Sequence, residues 1–330
     1  MACLFMVAFL FVLLLLVLKK LLWRRGHKSL ENLHVVVTGG SSGIGKSVAV
    51  EAARRGAHVT LVARDVERLE AAKVEVVRSC LHPERQKVQY VSLDVSDNYE
   101  AIERALLCAE DDVGPIYMLV NCAGTAVCGR LEDMTVADIK MLVSLNVLGT
   151  VYPTRAVVPL MKQRKSGCVV LVASEAAMLG VYGLGVYSGT KFAVRGLAEA
   201  LHMEAKPYNV SVTLCLPPDT DTPGFAVEEQ SKPIETKLIS ESGGLVAPEV
   251  VAKQMVSDAL RGKFFSTVGS TGLMLRLVCA GMSPASSLAE AVMQVCFMGL
   301  LRIVSLGYLF YFKHIISKCM KNREKTKKLE

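Results

Sequence analysis

Three side chains of this sequence stand at spacings that suit proton exchange with a carbonyl or hydroxyl group: Ser174, Tyr187 and Lys191. Tyr187 and Lys191 are four residues apart, so a helix would put them on one face. A free phenol titrates near pH ~10 and exchanges its proton poorly at neutrality. A neighbouring ammonium favours the phenolate, so Lys191 is expected to lower the Tyr187 pKa toward the range useful for acid–base work. Ser174 closes an apolar run thirteen residues earlier, where its hydroxyl can hold a substrate oxygen while hydride moves. Alone, a Tyr-x-x-x-Lys pair is usually ordinary helix surface. Its register with the serine and with a glycine-rich turn is what points to chemistry.

That turn reads Thr38-Gly39-Gly40-Ser41-Ser42-Gly43-Ile44-Gly45. Gly39, Gly43 and Gly45 let backbone approach a pyrophosphate, whose charge would sit at the N-terminus of the following helix. Ser41 and Ser42 lie in the same turn and join them as candidate cofactor contacts. The next apolar run ends Leu61-Val62-Ala63-Arg64. A fold that prefers NAD usually carries a carboxylate there for the ribose hydroxyls. Here Arg64 follows Ala63, and a guanidinium can fork onto a 2′-phosphate, which favours NADPH. Arg68 would face the same way one helical turn on, although a solvated surface position is the plainer reading of it.

These residues need a scaffold. Apolar runs at residues 34–37, 58–63, 88–93, 117–121, 167–172 and 211–216 read as buried strands, and helical patterns at 46–55, 66–79 and 99–111 separate them. The alternation implies an α/β fold, a Rossmann-type doubly wound parallel sheet.

Across roughly residues 32–265 the sequence resembles the short-chain dehydrogenase/reductase family. The resemblance implies a catalytic Ser174, Tyr187 and Lys191, with Asn146 of Ser144-Leu145-Asn146-Val147 helping to hold a relay water near the lysine. It also implies adenine-side contacts from Asp94, a structural and cofactor role for Asn121 of Val120-Asn121-Cys122-Ala123-Gly124, and a nicotinamide contact from Thr222. Two positions depart from the family pattern: Cys122 replaces a second Asn, and Pro217-Pro218 stands where Pro-Gly is usual. Residues 34–46, 206–210 and 217–225 resemble the branch of the family that reduces long-chain sphingoid-base ketones. That likeness implies NADPH-dependent reduction of a C3 ketone in sphingolipid synthesis, at the endoplasmic reticulum membrane. Membrane-bound steroid or retinol reductases share the same features, and an inactive scaffold would need a broken motif. Phe225, Leu238 and Ile239 are candidate contacts for the alkyl chain. Glu228, Glu229 or Glu241 could meet the substrate ammonium, and nothing in the sequence singles one out.

Composition adds a membrane. Hydrophobic residues make up 52% of 330 residues and mean hydropathy is +0.38, too apolar for an ordinary soluble enzyme. The net charge of +7 is local: residues 19–28 carry +5 and residues 313–330 another +5, leaving the body at −3. Basic residues beside apolar runs suit anionic headgroups rather than nucleic acid, which the acidic body excludes as a partner. Residues 1–23 are expected to form an N-terminal transmembrane anchor with the catalytic domain on its cytosolic side. Residues 273–312 read as a membrane-embedded or re-entrant hairpin, and residues 313–330 as a basic cytosolic tail, whose Lys327 and Lys328 resemble a dilysine retrieval signal. The sequence leaves a homo-oligomer open. Ten scattered cysteines without a Cys-x-x-Cys or a Cys/His cluster point to buried thiols in a reducing compartment and to no metal.

Overall fold

Val35, Val36 and Val37 are all completely buried, as a strand covered on both faces requires. The computed structural model describes residues 29–327, so the expected anchor at 1–23 and the last three residues lie outside the described residues. Seven parallel strands form one sheet in the order β3-β2-β1-β4-β5-β6-β7. They are β1 (His34–Thr38), β2 (His58–Ala63), β3 (Val88–Ser92), β4 (Ile116–Asn121), β5 (Gly167–Val172), β6 (Val210–Leu216) and β7 (Phe265–Thr267). The chain leaves β1 toward β2 on one side and later returns to β4 on the other. The crevice between those connections is where doubly wound sheets bind ligands.

Helices cover both faces. On one side α1 (Gly43–Arg54) and α2 (Val66–Arg78) bury Val48, Leu69 and Val76 with Val251 and Met255 of α9 (Pro248–Leu260). On the other, α3 (Tyr99–Val113), α5 (Gly149–Arg164) and α6 (Gly185–Ala205) bury Ile102, Leu106, Val157, Met161, Val194 and Ala198. The short α4 (Val136–Val143) leads through a π-helical turn, Ser144–Leu148, straight into α5. Residues Val136–Arg164 are apolar enough to cross a bilayer, yet half of that stretch is buried inside the body. Its apolar character is that of a core helix.

After β6 come α7 (Pro223–Ser231) and α8 (Ile234–Ser240), then α9, β7, α10 (Gly269–Val278) and α11 (Leu288–Lys327). The strands expected from the sequence are all present within a residue or so of their expected ends. The edge strand β7 was not expected, since three residues are too few for a readable pattern. The C-terminal region differs more. No boundary falls between a hairpin and a tail at residue 312, because α11 is one continuous helix of 40 residues.

Candidate active site

The carboxyl ends of β1, β4 and β5 open into a cleft of ≈ 750 Å³. Thr38, the last residue of β1, is fully buried, and its Oγ1 accepts the N–H groups of Cys122 (3.1 Å) and Ala123 (3.2 Å). This ties the glycine turn to the strand end of β4. Gly39 has φ +65°, and a Cβ there would lie 2.9 Å from the Ala123 backbone, so the turn tolerates only glycine. Gly43 has φ +52° and faces Thr222, whose Cγ2 would stand 3.0 Å from an added Cβ. Ser42 caps α1 without a side-chain hydrogen bond, and no acid occupies the first turn. The positive end of α1 therefore points into the cleft between Ser41, Gly43 and Gly45. Close-packed glycines around a helix N-terminus with no competing acid fit the pyrophosphate of a dinucleotide.

Arg64, Arg68 and Asp94 line the same cleft beyond the turn. Arg64 Nη1 lies 3.5 Å from Asp94 Oδ2, and its side chain is 71% exposed, a contact worth little in water. Arg68 pairs with Asp65 at 3.4 Å, while Asp65 caps α2 by accepting the Arg68 N–H. Burial pushes the Asp94 carboxyl up, but two hydrogen bonds from Ser96 and the Arg64 charge outweigh it and hold the group below its ordinary value. Asp94 is thus a fixed acceptor, with the exposed Arg64 beside it.

At the far end of the turn stand Ser174, Tyr187 and Lys191. Ser174 follows β5, and its Oγ accepts the Ala176 N–H at 3.1 Å while bonding the Tyr187 hydroxyl. Tyr187 and Lys191 share one face of α6, with Lys191 Nζ 5.6 Å from the Tyr187 ring centre. Lys191 is buried, and its Nζ donates to the Val172 carbonyl at 3.2 Å. Burial lowers the lysine to about 8. The expectation that Lys191 depresses the tyrosine is not met: burial, then the charges of Glu228 and Asp219, raise the phenol above its ordinary value, against the opposing Ser174 bond.

Asn146 sits in the π-helical turn, fully buried. Its Oδ1 accepts the Thr125 N–H (2.9 Å), and its Nδ2 donates to the Thr125 carbonyl and to Thr190 Oγ1 (both 3.0 Å). A Cβ on Gly124 would lie 3.2 Å from Asn146 Oδ1 and 3.5 Å from Lys191 Nζ, so both groups converge on that bare backbone. Asn121 is not at the cleft surface. It is 1% exposed, its Nδ2 donates to Thr154 Oγ1 at 2.9 Å, and Cys122 lines the cleft in its place. Thr222 does line the cleft and caps α7 by accepting the Phe225 N–H at 3.1 Å.

One wall was only partly found by sequence reasoning, which offered Glu228 and Glu229 but not Asp219, Glu175 or Lys232. Lys232, its side chain completely buried, lies 3.5 Å from Asp219, 3.1 Å from Glu228 and 2.7 Å from Glu229. Burial raises both Asp219 and Glu228 above their ordinary values, with Lys232 opposing it. Glu175, next to Ser174, is pushed up to about 7 by burial and then by Asp219. Asp219, Glu228 and Glu175 line the cleft; Glu229 and Glu241 do not. The three- and four-residue spacing from Glu229 and Glu228 to Lys232 was a readable helical signal, but the buried lysine at its centre was not. Of the apolar candidates, Phe225 and Ile239 line the cleft and Leu238 does not.

The short chain dehydrogenase family pattern matches residues 33–233. The chain is 49% identical over 302 residues to the 3-ketodihydrosphingosine reductase of Bos taurus, covering 92% of this chain and 91% of that one. It is likewise 49% identical over 317 residues to the 3-dehydrosphinganine reductase of Danio rerio, covering 96% and 95%. Among solved structures it is similar to a short-chain dehydrogenase from Sphingobium yanoikuyae in complex with NADPH, at TM-score 0.62 and 26% identity over 71% of this chain and 87% of that one. Glycine turn, serine, tyrosine and lysine thus meet in one cleft of a fold shared with these enzymes, and the chain belongs to the short-chain dehydrogenase/reductase family.

Proposed function

We propose that this chain reduces the C3 ketone of 3-ketodihydrosphingosine to the alcohol, using NADPH. The observation that carries the reading is one cleft that joins the glycine turn, Tyr187 and an acidic wall. NADPH, held by the glycine turn, would supply the hydride that the carbonyl carbon accepts. Tyr187 gives its proton to the carbonyl oxygen, and Ser174 Oγ holds that oxygen in place. A phenol kept above its ordinary pKa retains its proton at neutral pH, the form a reduction needs. Lys191 and Asn146 flank Gly124, where an ordered water would return a proton to the tyrosine. Ser41, Ser42 and the α1 N-terminus receive the pyrophosphate, Asp94 the adenosine end, Thr222 the nicotinamide amide, and Arg64 with Arg68 the 2′-phosphate.

The substrate carries an ammonium on the carbon beside its ketone, so a carboxylate must stand near Tyr187. Glu228 and Asp219 meet that demand: both act electrostatically on Tyr187, and of the three carboxylates around the buried Lys232 only Glu229 has a second cation, Lys237 at 3.9 Å. The excess negative charge favours a cationic headgroup over a steroid or retinoid. We place the enzyme at the endoplasmic reticulum membrane with its catalytic body in the cytosol. The described cysteines form no disulfide with one another, which supports a reducing compartment. The deciding experiment is NADPH consumption by purified protein in detergent with 3-ketodihydrosphingosine, its deaminated analogue and a steroid ketone. Selective turnover of the amino ketone is expected, with Glu228→Gln raising its KM and leaving that of the deaminated ketone unchanged. Equal turnover of all three ketones overturns the substrate assignment.

A further inference from the structure

Helix α11 is fastened to the body along its length. Near its start Glu290, 5% exposed, pairs with Arg276 of α10 at 3.6 Å and accepts the Ser286 N–H at 3.0 Å. In the middle Arg302, Ser305, Tyr308, Leu309 and Phe312 line the active-site cleft. Toward its end Ile315 is buried, and Arg323 pairs with the buried Glu235 of α8. Leu288–Lys325 is long and apolar enough to cross a membrane, and none of its most apolar stretch is buried, but ties at both ends and a cleft wall in between favour a helix that stays against the body.

Its other face is bare. Val295 is 83% exposed, Leu300 62%, Ile303 68% and Phe310 75%. At 100° per residue these fall on one side of the helix, opposite the cleft. Arg302 is the only charged residue from 291 to 312, and it lines the cleft. From residue 313 the outward side turns cationic, with exposed Lys313, Lys318 and Lys321. An apolar stripe ending in exposed lysines matches the boundary of acyl chains and anionic headgroups.

We propose that α11 lies in the plane of a membrane surface. Its outward stripe is seated at the acyl–headgroup boundary and its inner face walls the cleft, so that an alkyl chain slides in sideways from the bilayer. Leu179, Met274 and Val278 continue the apolar lining inward from Tyr308 and Phe312. The passage of a sphingoid tail rests on the reductase reading; the seating of the helix rests on its geometry alone.

Depth measurement tests the seating. Val295, Ile303 and Phe310 are replaced one at a time by Trp in the full chain carrying Trp23→Phe, in vesicles of phosphatidylcholine and phosphatidylserine. Lipids brominated at shallow or deep acyl positions act as quenchers. The three sites span about 22 Å of helix. Strong quenching by shallow bromines, equal at all three sites, is expected, with none at Val74→Trp on α2. A depth that changes steadily from Val295 to Phe310 means a spanning helix and overturns the proposal. Absence of quenching overturns it too, and cross-linking between copies at these sites would then make the stripe a dimer face. Retained NADPH binding by each variant confirms the fold, and the ketone panel separates a failure of seating from a failure of the substrate assignment.

Discussion

Lys191 is buried and Tyr187 half-buried at the cleft wall, and each responds to lost water by favouring its uncharged form: the phenol keeps its proton and the ammonium loses it more easily. Lys191 is therefore charged below about 8 and neutral above. If its charge supports proton return to Tyr187, kcat/KM for reduction should fall as pH rises through that value, and a pH–rate profile checks it. Stability moves the other way. The unfolded lysine binds its proton up to its ordinary value of 10.5, so between about 8 and 10.5 the unfolded state holds more protons and this group's contribution to stability rises with pH. Urea titrations should show Lys191→Met more stable than the parent at pH ~7, with the gap closing across that window. Tyr187→Phe keeps the ring and removes the acid, and turnover should drop at least ~10²-fold. Arg64→Ala leaves a 2′-phosphate without its fork, so the NADPH KM should rise roughly 10- to 100-fold while that for NADH barely moves. Equal changes for both cofactors would assign Arg64 another role.

Between α4 and α5 the helix widens for one turn, and that turn places Asn146 where its amide reaches both Thr125 and Thr190. Asn146→Leu would strip the part-buried backbone groups of Thr125 of their partners and should cost about 1–3 kcal/mol in a urea melt. Asn146→Asp retains the acceptor and should lose less. The turn itself was invisible in the sequence, because a π-helical turn differs from an α-helix by one hydrogen-bond register and leaves the apolar period nearly intact. Strands β1 to β6 were legible because Val, Ile and Leu runs in a sheet covered on both faces have no other reading of that length. Ser174, Tyr187, Lys191 and the glycine turn were legible because each is fixed by spacing within one or two elements. The acidic wall was legible only in part: Glu228 was one of three candidates, and Asp219 and Lys232 were not among them. Asp219 and Glu228 come from a loop and from α7, and only the fold of that segment over the cleft gathers them around Lys232. The C-terminal apolar residues were readable as one long apolar stretch, but not as a helix that contributes Tyr308 and Phe312 to the cleft, because periodicity does not show what a helix packs against.

At the scale of the whole molecule, Arg323 joins segments far apart in the sequence. It bonds the Tyr182 side chain in the loop between Ser174 and Tyr187, and it pairs with Glu235 of α8. The Tyr182 carbonyl in turn accepts the Thr236 hydroxyl at 2.7 Å. Through these contacts the end of α11 holds α8 and the catalytic loop in one unit. Glu235 is fully buried, and its Oε2 has no hydrogen-bond partner, so Arg323 is its main compensation. Arg323→Ala leaves a buried carboxylate unpaired, which is more costly than the loss of an exposed ion pair. Hydrogen exchange should then quicken in the last turns of α11, in α8 and in residues 178–184, with β1, β4 and α1 unchanged. Since only the wall of the cleft loosens, the KM for a long-chain ketone should rise several-fold while NADPH binding stays as it was. Neutralising the stranded acid should undo much of this, so the double variant Arg323→Ala, Glu235→Gln is expected to exchange more slowly than Arg323→Ala alone. Uniform acceleration across the sheet would mean that Arg323 supports global stability instead, and a double variant no slower than the single one would remove the buried carboxylate as the cause.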